Sequence, residues 1–123
     1  MALYENLPVY KAGYDLLLET CRVSQSLSRD FRYTLGEKLQ SEQTEILVCI
    51  YRANAAREHR AEHLAQARRR LVKAKLYLRM LHDLKQLSVA QFALLAERCE
   101  ELSKQLAAWH RNSTTPGVDT VEA

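Results

Sequence analysis

Apolar residues recur along most of the chain at intervals of three and four positions, which places them on one face of an α-helix. Four such segments are separated by short polar stretches, and none shows the alternating pattern of a β-strand over a useful length. The pattern predicts helices over about residues 8–27, 35–57, 60–84 and 88–111. Because the connections are short, sequential helices are expected to be antiparallel neighbours, in an all-α, up-down-up-down four-helix bundle.

Each predicted helix carries a stripe of residues that is expected to face the core. The stripes of the third and fourth helices both alternate strictly by three and four residues, which is a heptad spacing. The expected inward positions are Val9, Ala12, Leu16, Thr20, Val23 and Leu27 in the first helix, Leu35, Leu39, Ile46, Cys49, Ile50 and Ala53 in the second, Leu64, Ala67, Leu71, Ala74, Leu78 and Leu81 in the third, and Phe92, Leu95, Cys99, Leu102, Leu106 and Trp109 in the fourth.

Two sequence pairs match the capping box, in which two side chains and two backbone N–H groups satisfy one another at a helix start. Thr34 and Glu37 are expected to begin the second helix in this way, and Ser88 and Gln91 the fourth.

The composition is that of a globular domain, with 123 residues, 47% hydrophobic and 27% charged. This length predicts one domain with a core that needs no disulfide or metal. No apolar run is long enough to span a membrane, and the N-terminus lacks the basic and apolar regions of a secretory signal. We expect the bundle over residues 1–111, a disordered tail over residues 112–123 and a cytoplasmic location.

The three cysteines, Cys21, Cys49 and Cys99, are odd in number, widely spaced and set in apolar patterns. This usage predicts buried, reduced thiols, as in cytoplasmic proteins.

Positive charge is concentrated in the third helix. The net charge of the chain is +3, but residues 57–85 hold nine Lys or Arg and three Asp or Glu, so that segment carries +6 and the rest −3. An acid-free helix face suits binding to a phosphate backbone, whereas a solvated face usually mixes signs. The alternative is that the long stems cover the edge of the bundle. The basic residues are Arg68, Arg69, Arg70, Lys73, Lys75 and Arg79.

A second apolar stripe on the same helix consists of Val72, Leu76 and Met80. A helix of a monomeric bundle needs one apolar stripe, so the second predicts a subunit interface, unless a twisted bundle buries a wide stripe. Arg68, Lys75 and Arg79 fall between the two stripes.

A catalytic site is not expected. His59, Glu62 and His63 spell H-x-x-E-H, a zinc-protease pattern, but a third ligand is missing and the motif lies near a predicted turn. A di-iron site needs Glu three residues before an inward-facing His, and none of the four histidines is preceded in this way. The chain also has no phosphate-binding Gly-rich loop and no G-x-S-x-G motif. We therefore predict no enzyme activity, no metal and no cofactor. The residues three positions before the four histidines are Ala56, Arg60, Arg79 and Ala107.

Four segments occur in an order and at spacings that resemble a known family. They are "FRYTLGEKL" (residues 31–39), the basic third helix, "LHDLKQLS" (residues 81–88) and "LSKQLAAWHR" (residues 102–111). Over roughly residues 8–111, the chain resembles the Avd-like accessory proteins of diversity-generating retroelements. These belong to a family of bacterial four-helix bundles that includes proteins encoded in intervening sequences of ribosomal RNA genes.

The resemblance implies a five-subunit barrel with a basic surface that binds a reverse transcriptase and RNA, with DNA as a further candidate ligand. The accessory protein would support error-prone cDNA synthesis without being the polymerase. It places the six basic residues of the third helix on that surface and matches Trp109 to the family's C-terminal Trp. The rival hypotheses are an oligomeric interaction bundle without nucleic-acid function and a metal enzyme.

Overall fold

The computed structural model describes residues 3–114, which are all-helical and contain no strand. Four long helices form the molecule, and a single turn, α2, lies between the first two. This confirms the prediction of an all-α fold with four helices. The elements are α1 (Pro8–Ser24), α2 (Arg29–Arg32), α3 (Leu35–Ala55), α4 (Arg60–Asp83) and α5 (Val89–Thr114), with 3₁₀ turns at Tyr4–Asn6 and Arg57–His59.

Helix α5 ends at Thr114, three residues beyond its expected end. Its last three residues, which the sequence assigned to the tail, are therefore helical, and residues 115–123 of the predicted tail lie outside the described residues. Among the described helices, none combines the length and the apolar content that crossing a lipid bilayer requires.

Each long helix packs mainly against two others, α1 and α4 both against α3 and α5. The side chains between them form a single apolar cluster. All six predicted core positions of α4 lie in it, each at most 3% exposed. Complete burial of one leucine, such as Leu64 or Leu106, contributes about 1.5–3 kcal/mol.

Polar side chains are buried where α1 meets α3, and of these residues the sequence pattern predicted only Thr20 at an inward position. The Gln43 amide donates to Thr20 Oγ1 at 2.9 Å, and the Gln40 amide donates to Ser24 Oγ at 2.8 Å. Ser24 Oγ in turn donates to the Thr20 carbonyl at 2.7 Å. Because a buried polar group is costly without its partner, these bonds favour one axial register of α1 on α3.

One of the two predicted capping boxes forms. At the start of α5, the Ser88 N–H donates to Gln91 Oε1 at 2.9 Å, and the Gln91 N–H donates to Ser88 Oγ at 3.1 Å. The prediction for Thr34 and Glu37 is wrong, since Thr34 makes no side-chain cap. Its hydroxyl donates instead to the Asp30 carbonyl at 2.6 Å, at the end of α2.

Helix α4 ends in a Schellman motif. The sequence did not predict it, because the left-handed position, which is usually glycine, is occupied by Lys85. Lys85 takes the left-handed conformation, with φ 61°. The Lys85 N–H donates to the His82 carbonyl at 3.0 Å and the Gln86 N–H to the Leu81 carbonyl at 2.9 Å. Gln86 Oε1 also accepts a hydrogen bond from the Ser28 N–H at 3.0 Å. This bond connects the turn after α4 to the turn after α1.

Cys49 and Cys99 are buried, as predicted, but Cys21 is exposed, so the prediction of a buried thiol there is wrong. Five residues separate Cys21 from the fully buried Leu16. That spacing rotates the side chain by about 140° around the helix, away from the core.

Candidate functional site

The face of α4 opposite the core carries the predicted interface residues Val72, Leu76 and Met80. Their exposed fractions are 68%, 55% and 38%. Because they are spaced by four residues, their side chains follow one another along the helix surface as a single row. An exposed apolar row on a helix whose opposite face is already buried is typical of an interaction surface. The assignment to a subunit interface stays a prediction.

Five of the six basic residues form two flanks, one on either side of this row. Arg68 and Lys75 contact α5, whereas Arg70 and Lys73 contact α3. Arg79 lies on the α5 side of α4 and Arg69 within the row, as their helical spacing requires. The structure thus brings the predicted phosphate ligands to one helix, but not into one continuous cluster.

The flank beside α3 is neutralised in part by Glu42. This carboxylate is only 7% exposed, and it lies 3.2 Å from Arg70 Nη1 and 3.7 Å from Lys73 Nζ. A buried carboxylate requires cationic partners, because an unpaired charge in the interior is strongly destabilising. Arg70 and Lys73 therefore have a structural role, since they neutralise the buried Glu42 carboxylate.

The flank beside α5 is also paired, but at the surface. Lys75 Nζ lies 2.8 Å from Glu100 Oε1, and Arg79 Nε lies 3.1 Å from Asp83 Oδ1. The hydrogen bond from Lys75 lowers the pKa of Glu100, and that from Arg79 lowers the pKa of Asp83. These pairs are exposed, so salt screens them and an anionic ligand can compete for the cations.

A groove of about 330 Å³ runs between α4 and α5 beside the apolar row. Arg68, Arg69 and Lys75 line it from α4, and Ser103 and His110 line it from α5. Within residues 3–114, Arg69 takes part in no hydrogen bond or ion pair, so its charge is available to a ligand.

Arg68 meets His110 across this groove, where Arg68 Nη1 lies 2.9 Å from His110 Nδ1. Since a guanidinium can only donate, this contact requires an unprotonated Nδ1, with the ring proton on Nε2. Burial first, and then the positive charge of Arg68, lower the pKa of His110. The imidazole is therefore neutral at physiological pH.

The H-x-x-E-H residues do not assemble a metal site in the described part of the chain. His59 ends an exposed 3₁₀ turn, while Glu62 and His63 belong to the first turn of α4. Over residues 3–114, no three His, Cys, Asp or Glu side chains are grouped in a way that could hold a metal ion.

Trp109 and a cluster of tyrosines are two aromatic features near the surface. Trp109 is half-buried against the core, with the Arg60 guanidinium 5.6 Å from the centre of its ring. Its position agrees with a packing role. Tyr4 lies edge-on to Tyr10 and Tyr51, with ring centroids 5.1 Å and 4.9 Å apart, at the outer seam of α1 and α3. Sequence spacing did not predict this cluster, because Tyr51 comes from a different helix.

Comparison with known proteins adds no family assignment, since no family model and no curated protein matches the chain significantly.

Proposed function

We propose that the protein is a non-enzymatic accessory protein of a diversity-generating retroelement, which binds the reverse transcriptase and RNA, and DNA as a further ligand. The observation that carries the proposal is the outward face of α4, where exposed apolar residues and the unpaired Arg69 lie between two basic flanks. The proposed family rests on the order of the four segments that resemble the Avd-like accessory proteins. In this proposal the bundle is antiparallel, forms a homopentamer and works in the cytoplasm.

The packing of the helices supports the proposed up-down-up-down arrangement. The long helices contact one another in the cyclic order α1, α3, α4, α5, so each lies beside its neighbours in sequence. The connections between α3 and α4 and between α4 and α5 are only a few residues long. Such links favour antiparallel neighbours.

Oligomerisation through α4 is supported by the exposed row of Val72, Leu76 and Met80. Basic residues lie on both sides of this row, so direct pairing of two α4 rows would bring like charges together. A head-to-tail contact with a different surface of the next copy avoids that repulsion, and such contacts form a ring where the rotation between copies closes.

The charge balance of α4 supports nucleic-acid binding that depends on assembly. Six cations are opposed by the carboxylates of Glu42, Asp83 and Glu100, which leaves a formal excess of +3 for each subunit. Three neutralised phosphates would give a slope near −2 for log affinity against log salt on single-stranded RNA, on the estimate of about −0.7 per phosphate. A ring would repeat this charge around its surface.

An oligomeric interaction bundle without nucleic-acid function is the second candidate. It is favoured by the engagement of Arg70 and Lys73 at the buried Glu42, because those two cations have a structural use.

The proposal is tested by RNA binding of the triple variant Arg68→Glu, Arg69→Glu and Arg79→Glu. We expect fluorescence anisotropy with single-stranded RNA at about 50 mM salt to show a loss of affinity of at least about tenfold. The control variant Lys11→Glu, Arg29→Glu and Lys38→Glu changes the net charge equally at exposed positions on α1, α2 and α3. It should lose much less.

Equal losses in the two variants would leave only a general charge effect, and intact binding in the α4 variant would remove the nucleic-acid part of the proposal. Light scattering on both variants separates a loss of binding from a loss of assembly. A reverse-transcriptase gene with paired template and variable repeats beside the coding gene would support the retroelement.

A further inference from the structure

We infer that the groove between α4 and α5 is a phosphate-binding site whose affinity for the anion rises when His110 is protonated. The inference rests on the proposed function, because it identifies the part of α4 that holds a phosphate of the nucleic-acid backbone.

The lining of the groove is cationic and contains no acid. Its eight described residues include the guanidinium groups of Arg68 and Arg69, the ammonium group of Lys75, the His110 ring and the Ser103 hydroxyl. Glu100 holds Lys75 but does not itself line the groove. The volume of about 330 Å³ leaves room for a phosphate group and several waters.

The donors in the groove suit a phosphate in particular. A guanidinium presents five N–H donors in a planar fork that matches phosphate oxygens. Arg68 uses one nitrogen for His110, and Arg69 uses none within the described chain, so donors remain on both. Among residues 3–114, no hydrogen bond engages the Ser103 hydroxyl either, which leaves it free to donate.

The opposite flank of α4 shows why the groove is the better site. There, Glu42 lies between Arg70 and Lys73, so an incoming anion would face a buried carboxylate. In the groove, the unpaired Arg69 and the partly buried His110 imidazole line the same space, and no carboxylate is among the lining residues.

Protonation of His110 changes this site in two ways. The ring loses its acceptor at Nδ1, which releases the Arg68 nitrogen 2.9 Å away, and it adds a positive charge. Arg68 contacts the ring from α4, Arg69 and Lys75 line the same groove, and Arg111 follows His110 in sequence on α5. Burial and the positive charge of Arg68 therefore oppose protonation of the ring, and a bound anion favours it.

The direction of the pH dependence follows from these contacts. Without ligand, burial and Arg68 hold the pKa of His110 below its ordinary value of 6.5. A bound phosphate raises it again, by about one unit for an opposite charge within about 5 Å. Affinity for the anion therefore grows as the pH falls through the window between the bound and free pKa values, and it is constant above that window.

The groove is tested first with inorganic phosphate alone, by following the His110 C2–H resonance against pH with and without phosphate. We expect phosphate to raise the pKa of His110 by about one unit in the wild type. The variant Arg69→Ala should lose most of this shift while His110 still titrates. His59, an exposed histidine outside the groove, serves as the internal reference.

RNA binding provides the second measurement, compared between about pH 7.5 and about pH 5. The wild type and the matched variant His59→Gln should gain affinity, and His110→Gln should gain about tenfold less, the factor that corresponds to one pKa unit. Circular dichroism on each variant verifies that its helices are intact.

The two proposals fail separately. If phosphate leaves the His110 titration unchanged and His110→Gln keeps the wild-type pH profile, the groove proposal is overturned, while RNA binding through α4 can still stand. If phosphate raises the pKa of His110 but the wild type binds no RNA at either pH, the groove stands and the proposed function falls.

Discussion

At the scale of single residues, the three cysteines differ because each thiol has a different environment. Burial raises the pKa of Cys99 to about 11 and also raises that of Cys49, on which nearby Arg70 acts in the opposite direction. Cys21 is exposed on α1. Since the thiolate is the reactive species, burial protects two of the thiols both sterically and chemically.

Alkylation of the native protein should therefore modify Cys21 alone. At about pH 8, a thiol with the pKa of Cys99 is ionised in only about one molecule in a thousand. We expect mass spectrometry after brief iodoacetamide treatment to show one adduct in the native protein and three in denaturant. The variant Cys21→Ser should take up none while folded, and rapid native labelling of Cys99 would contradict the packing described here.

At the scale of helices, α3 and α5 begin differently although both follow a similar sequence pattern. Ser88 and Gln91 cap the start of α5. At the start of α3, by contrast, the Thr34 hydroxyl donates to the Asp30 carbonyl of the preceding helix α2. Gly36 then lies close to α2, where an added Cβ would be 3.1 Å from the Phe31 carbonyl oxygen. The structure thus supplies a packing reason for a glycine in the first turn of α3.

Removal of the two hydroxyls should have unequal effects on stability. We expect Ser88→Ala to lower the free energy of unfolding by about 1 kcal/mol, because the Gln91 N–H at the start of α5 loses its Ser88 Oγ acceptor. The matched variant Thr34→Ala should change it by less than about 0.5 kcal/mol, since that hydroxyl does not cap α3 and its bond to the Asp30 carbonyl is exposed to solvent. Urea denaturation followed by circular dichroism measures both, and an equal loss would show that Thr34 also acts as a cap.

At the scale of the whole molecule, the distribution of exposed apolar residues matters most. Val72 and Val89 are both highly exposed, at 68% and 79%, but only Val72 belongs to a row with Leu76 and Met80. Val89 instead begins α5 at the end of a connection. The two valines therefore provide a matched test of whether the α4 row joins subunits.

Val72→Glu should break the proposed oligomer, and Val89→Glu should leave it intact. We expect light scattering to give the wild type and Val89→Glu a mass of about five times the 14.2 kDa of one chain. Val72→Glu should have the mass of one chain with unchanged helix content, because the side chain lies outside the core. A wild-type protein of single-chain mass would overturn the pentamer, whatever the variants do.

Features of the site that involve residues close together in sequence could be predicted, whereas contacts between residues far apart in sequence could not. All six core positions of α4 followed from a local rule, that of the helical turn, and so did the outward direction of Val72 and Leu76. The partners of Arg70 and Lys75 did not, because Glu42 lies 28 residues from Arg70, and Glu100 lies 25 residues from Lys75. Local rules also misplaced Cys21, since an apolar stripe in sequence is wider than the face that packing covers.

Helical periodicity in the sequence accounts for the four helices, the main core stripes and the presence of six cations on α4, because each depends on residues within one or two turns. The net charge on the exposed face of α4, in contrast, depends on how the helices pack. Packing placed Glu42 and Glu100 against three of the six cations, joined Arg68 to His110 and left Arg69 unpaired. The physical reason is that charge interactions act through space, and the chain brings distant residues within range only by folding.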